Sequence, residues 1–166
     1  MADAIHHRLQ PIVGPTAVGR WLRGRWLGHR LHPLLTDVPV GSWTSAWVLD
    51  VVGGERAEPA ADLLVAVGLA AAVPTVAAGW ADWVTLPRAE RRIGLVHASA
   101  NALATAAYAA SLGARLGGRR ATGRALGHLG AGVASVGGLL GGHLAFVSLP
   151  RPASGGVDVD PLEGSP

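Results

Sequence analysis

Three long stretches without a charged residue limit what this chain can fold into more than any other feature. Residues 63–81, 93–114 and 125–150 contain no Asp, Glu, Lys or Arg, and each reaches or exceeds the roughly 20 residues that cross a bilayer as a helix. Charge collects in short clusters between them. Only 15% of the 166 residues are charged while 49% are apolar, against about a quarter charged in an ordinary soluble domain. A soluble fold of this length would still need charge over its whole outside, so the pattern selects lipid as the solvent for most of the chain.

A fourth span is predicted over 33–52, where Pro33 suits a first helical turn and residues 38–49 are uncharged. Asp37 and Asp50 fall near its ends, so they either snorkel or hold a carboxylate at membrane depth. Ahead of it, residues 16–31 interleave Trp21, Leu22, Trp26 and Leu27 with Arg20, Arg23, Arg25 and Arg30, the pattern of an amphipathic helix lying among headgroups, with a plain Arg-rich linker as the alternative. Residues 150–166 are rich in Pro, Gly, Ser and acidic side chains and are expected to be disordered. The expected architecture is all-α: an N-terminal segment over 1–31 carrying the interfacial helix, an integral membrane four-helix bundle over 32–149, and a tail over 150–166.

Four spans put both termini on one side, with nine arginines there against five on the other. The positive-inside rule then predicts cytoplasmic termini in a plasma membrane. Gly and Ala recur through the spans at helix-packing distances, which close helix contact explains by itself. Pro74 is expected to kink its helix.

The chain has no Cys, which excludes disulfides, thiolate metal sites and iron–sulfur clusters held by this chain alone. Its basic residues are all Arg and form no recognised nucleic-acid-binding motif, so nucleic acid is not an expected partner. Histidine is the residue type left to carry metal or proton chemistry. Alternating helix direction brings His32, His97 and His143 to one level near the terminal face, with Asp37 and Asp82 nearby, and leaves His128 at the other face. His97, Asn101, Thr105 and Tyr108 follow helical spacing and form one polar stripe, predicted to face the bundle interior. Asn101 is then placed to orient a histidine ligand from behind. Asp82 is expected to meet Arg88, Arg91 or Arg92, and Trp43, Trp47, Trp80 and Trp83 to anchor or pack the spans. A plainer alternative for the histidines is that they hydrogen-bond carbonyls and headgroups.

The segment from His32 to Gly41 (HPLLTDVPVG), Gly79-Trp80-Ala81-Asp82-Trp83, Gly94-Leu95-Val96-His97 and Gly141-Gly142-His143-Leu144 together resemble an uncharacterised bacterial membrane family, domain of unknown function 2231. The resemblance covers about residues 28–148. It implies a four-helix membrane domain, and some relatives resemble fusions to a Rieske-type iron–sulfur domain. Without cysteine here, such a cluster would have to belong to a separate redox partner.

The leading expectation is a small membrane redox or metal-binding module, with His97 and His143 as axial ligands to a b-type haem (haem b) and room for the porphyrin edge at Ala98, Ala100, Gly141 and Gly142. A rival uses His32, His97 and His143 as zinc ligands and Asp37 or Asp82 as general base for hydrolysis. A third is a non-catalytic subunit of a membrane complex, whose N-terminal helix and tail dock a partner.

Overall fold

A computed structural model describes residues 1–147. The expectation for residues 150–166 lies outside the described residues. Six helices account for most of the rest: α1 (Ala2–Val13), α2 (Ala17–Leu22), α3 (Leu31–Val52), α4 (Glu58–Trp83), α5 (Arg88–Leu116) and α6 (Arg120–Val147), with a single 3-10 turn at Glu55–Ala57. No strand occurs among the described residues, so the chain is all-α. The four segments predicted as spans fall on α3 to α6, each longer than its uncharged run because flanking charged residues join the helix.

Local sequence explains most of the helix ends. Pro33 and Pro59 sit in the first turns of α3 and α4, where a missing N–H costs nothing, and Pro87 sits just before α5. Thr16 caps α2 by accepting from the Gly19 N–H at 3.0 Å. That helix is much shorter than the predicted 16–31. Gly24 and Gly28 take φ of 69° and 73°, left-handed values that stop a helix, and a Cβ on Gly24 would lie 2.2 Å from the His29 carbonyl oxygen. Arg23 turns inward instead of lining a polar face. It donates to Val13 O at 2.7 Å, Gly14 O at 2.7 Å and Ala81 O at 3.2 Å, neutralising carbonyls at the C-terminal ends of α1 and α4.

The sequence did not announce α1. It lies across the terminal end of the long helices, where His6 is buried against Trp83 and its ring Nε2–H donates to Val84 O at 3.0 Å. Asp3 pairs with Arg88 at 2.6 Å, and this hydrogen bond holds its carboxyl below the usual carboxylate range.

Helix α3 packs on α4 and α5 on α6, while α4 meets α5 and α6 meets α3. The four long helices therefore form a ring with α3 and α5 parallel on one diagonal. Its composition is inside out. The buried apolar residues are mostly Ala, while Leu34, Val38, Val48, Leu63, Val67, Val73, Val76, Val96, Leu103, Leu129, Val136 and Leu139 are exposed. Water would oppose such a surface, and lipid accepts it. Helices α4 and α6 are long and apolar enough to cross a membrane. Helices α3 and α5 carry more polar groups, and many of these face the centre.

Several large inward side chains of α3 and α5 enter glycine gaps on the helix they pack against. Trp43 lies over Gly68 and His32 over Gly79; on the other side Arg115 lies over Gly123, Tyr108 over Gly130, Asn101 over Gly137 and His97 over Gly141. A Cβ at Gly68 would approach the Trp43 indole to 2.2 Å.

These contacts reveal an internal repeat. Positions on α3 recur sixty-five residues later on α5: His32 with His97, Trp43 with Tyr108, Asp50 with Arg115. Positions on α4 recur sixty-two residues later on α6: Glu58 with Arg120, Asp62 with Arg124, Gly68 with Gly130, Thr75 with Gly137, Gly79 with Gly141. The α3–α4 hairpin and the α5–α6 hairpin are thus related by an approximate two-fold axis along the bundle, the arrangement of parallel repeats in membrane proteins. On the axis, each residue meets its counterpart. Trp43 stacks on Tyr108 with ring centres 4.2 Å apart and planes 14° apart, and this pair forms the core with Ala46, Val65 and Ala72.

The Gly68→Ala protein should lose about 1–3 kcal/mol through overpacking against Trp43. Gly41→Ala, where a Cβ would meet nothing within 4 Å, should leave thermal unfolding in detergent unchanged.

Candidate functional site

Two polar clusters lie on the approximate axis, one at each end of the bundle. Near the terminal end, His32 of α3 and His97 of α5 face each other with ring centres 6.3 Å apart and planes 89° apart. Each ring is held from behind by its own hairpin. His32 Nδ1 lies 2.9 Å from Thr75 O and His97 Nδ1 lies 2.8 Å from Gly137 O, at positions equivalent in the repeat. A carbonyl oxygen can only accept, so both Nδ1 atoms carry the proton and each neutral ring keeps its lone pair on Nε2. Carbonyl-anchored imidazoles of this kind are the usual form of metal-ligating histidine.

Asn101, one turn below His97, donates Nδ2–H to His97 O at 3.0 Å and lies 3.2 Å from both ring nitrogens. Thr36 does the same for the first repeat, donating to His32 O at 2.7 Å. Thr75 adds a hydroxyl bond to Leu35 O at 3.2 Å, tying α4 to α3 beside the His32 ring.

The other residues singled out in the sequence lie elsewhere. His143 is exposed. It follows by two positions Gly141, the residue beneath the His97 ring, and so points about 200° round α6 from that contact. Asp37 is exposed, and His128 lies at the opposite end beside Trp47, with ring centres 6.4 Å apart. Asp82 lies in the field of Arg30, His32 and Arg23, while Arg88 and Arg91 turn to Asp3. Among the described residues, no group of three or more His, Asp or Glu side chains is placed to hold a metal ion.

At the other end, three acids of the first hairpin meet three arginines of the second. Arg115, 1% exposed, makes a two-point contact with Asp50, 3% exposed, and reaches Asp62 at 3.3 Å. Arg120 bonds Asp62 at 2.6 Å and Glu58 at 3.1 Å. Arg124 bonds Glu58 at 2.8 Å and approaches Asp50 at 3.8 Å. The approximate axis maps these contacts onto one another: Asp50–Arg115 and Glu58–Arg120 onto themselves, Arg115–Asp62 onto Asp50–Arg124, and Arg120–Asp62 onto Arg124–Glu58. Formal charge cancels across the six. Ser111 completes the network, accepting from Arg115 Nε at 3.0 Å and donating to Gly123 O at 2.6 Å.

By position in the sequence, between uncharged runs, these arginines read as loop charge. The fixed repeat offset was the signal that joins them to Asp50, Glu58 and Asp62.

Residues 28–148 match the model of a family described as predicted membrane protein (DUF2231). The chain belongs to this family. No curated protein and no solved structure matches it. The matched region begins just before α3 and ends at the end of α6, so the repeated hairpins, the histidine pair and the charge network all lie within the family domain, while α1 and α2 precede it.

Removing one member of the buried pair, as in Asp50→Ala or Arg115→Ala, should cost about 3–5 kcal/mol by stranding the other charge. The swap Asp50→Arg with Arg115→Asp should not restore stability, because it sets arginine 50 against Arg124 and aspartate 115 against Asp62. Reversing all six charges should restore most of it. Unfolding curves in detergent for these four variants test the axis directly.

Proposed function

We propose that this family member is a small redox module whose four long helices cross the plasma membrane with cytoplasmic termini, and that it holds a b-type haem between His32 and His97. The observation that carries the reading is the facing pair of carbonyl-anchored imidazoles. Nitrogen-to-metal bonds of about 2 Å, with about 1 Å from each nitrogen to its ring centre, allow two imidazoles that share one metal a separation of up to about 6 Å. The observed separation is 6.3 Å. Two protein ligands suffice for haem because the porphyrin supplies the other four. A catalytic zinc site uses three, and among the described residues no third acidic or histidine ligand joins the pair. For that reason haem is preferred to a zinc hydrolase. His32 rather than His143 becomes the partner of His97, since His143 points away from it.

In this reading the protein's own groups do the following. Thr75 O and Gly137 O fix the orientation of both rings through Nδ1, and Asn101 Nδ2 lies against the His97 ring. Asn101 and Thr36 brace the helix turns that carry the histidines. Gly79 and Gly141 remove the side chains that would crowd the rings, and the apolar exterior keeps the site out of water. The haem, when bound, supplies one-electron chemistry, with an electron partner that is a separate redox protein or a membrane-complex subunit.

Protein purified in mild detergent from haem-supplied cells should show a haem absorption band that shifts on reduction. His32→Ala and His97→Ala should each abolish it, while His143→Ala and His128→Ala should keep it. Colourless protein with near-stoichiometric zinc would favour the hydrolase. Absence of both cofactors would leave the histidines as packing residues of an assembly subunit.

A further inference from the structure

A basin of about 690 Å³ opens at the terminal end of the bundle, between the turn after α2 and the end of α4. Arg20, Arg23, Arg25 and Arg30 line it, and Asp82 is its acidic residue. The four guanidiniums are not equivalent. Arg23 is occupied with the carbonyls of Val13, Gly14 and Ala81, and Arg20 donates to Pro15 O. Arg25 and Arg30 are exposed, and neither guanidinium donates a hydrogen bond or forms an ion pair with a described residue. Asp82 offsets one positive charge, so among the described residues the basin keeps a positive excess and two guanidiniums without a hydrogen-bond or ion-pair partner.

Beside the basin the same turn presents apolar surface. Trp21 and Trp26 stack with ring centres 6.3 Å apart and planes 21° apart, both about three-fifths exposed, with Val18 and Leu27 also exposed. The indole of Trp26 donates to Trp21 O at 3.2 Å, which fixes the stack on the turn. Exposed Trp next to free Arg, at the end of a bundle with a lipid-compatible exterior, is the pattern of a headgroup boundary. Guanidinium is the side chain best matched to phosphate oxygens.

We propose that this basin binds the phosphate of an anionic phospholipid headgroup, with Arg25 and Arg30 as its ligands and the Trp21–Trp26 stack resting against the lipid beside it. The site is independent of the histidine pair.

Full-length protein in a non-ionic detergent is titrated with dihexanoyl phosphatidylglycerol, with dihexanoyl phosphatidylcholine and with inorganic phosphate, read by tryptophan fluorescence and native mass spectrometry. Saturable binding is expected for phosphatidylglycerol at concentrations where the other two do not bind. The double variant Arg25→Gln/Arg30→Gln should weaken it at least about tenfold with unchanged helical circular dichroism. The charge-matched variant Arg56→Gln/Arg119→Gln, at the opposite end, should bind as the parent does. Equal weakening by both double variants, or no weakening by the first, would overturn the site. Inorganic phosphate binding as tightly as phosphatidylglycerol would assign the basin to free phosphate and overturn the lipid assignment.

Discussion

The pairing of Asp50 with Arg115 sets the register on which the rest of the bundle depends. Two nearly inaccessible charges meet across the diagonal between parallel helices, where desolvation is costly unless every donor and acceptor is used. Arg115 uses its guanidinium on Asp50, Asp62 and Ser111, and Gly123 leaves space for its stem. The macrodipole favours Arg115 at the C-terminal end of α5 and opposes Asp50 at the C-terminal end of α3, so Asp50 relies on its partner more than Arg115 does. Because α3 and α5 run parallel, fixing residue 50 opposite residue 115 also fixes 43 opposite 108 and 32 opposite 97. The histidine pair, about 27 Å of helix away, inherits its alignment from this end of the bundle.

The approximate two-fold explains why the two hairpins have diverged in some places and not in others. A residue on such an axis meets its own counterpart. Histidine can face neutral histidine, and an indole can stack on a phenol ring. An aspartate facing an aspartate in a low-dielectric interior would repel it, so the charged positions can lie on the axis only if one hairpin carries acids and the other bases. A symmetric dimer of identical hairpins has no such freedom; a single chain with two versions of the hairpin has it. The segregation of Asp50, Glu58 and Asp62 from Arg115, Arg120 and Arg124 is what that requirement predicts.

The sequence made the helices legible because lipid imposes a length rule and forces charge into the loops; the four long helices fall where the uncharged runs place them. It also made the inward stripe His97, Asn101, Thr105 and Tyr108 legible through its period. What it left obscure depends on azimuth or on partners distant in sequence. Depth alone grouped His32, His97 and His143, but depth does not say which way a side chain points. Gly141, rather than His143, is the position of α6 that faces His97. The charge network was hidden because Arg120 and Arg124 sit at a helix start, where charge reads as loop, and because the repeat survives mainly at contact positions such as Gly68 with Gly130. The helix predicted over 16–31 stops at Leu22 because two left-handed glycines and the capping role of Arg23 overrule an amphipathic pattern.

The two ends of the bundle impose a direction on whatever the histidine pair does. At the end away from the termini, six cancelling charges and the Trp43–Tyr108 stack fill the space between the helices, leaving Arg115 and Asp50 almost no exposure. At the terminal end, α1 lies over Trp83 and Val84, held by His6 and by the exposed Asp3–Arg88 pair, and the arginine-lined basin opens beside it. A surface ion pair of that kind contributes little, whereas the charge network is costly to open. If His32 and His97 hold a redox centre, access to it is therefore set by α1 and the basin rather than by the core. In that case an electron partner would approach from the side of the termini, where the exposed Asp3–Arg88 pair also lies.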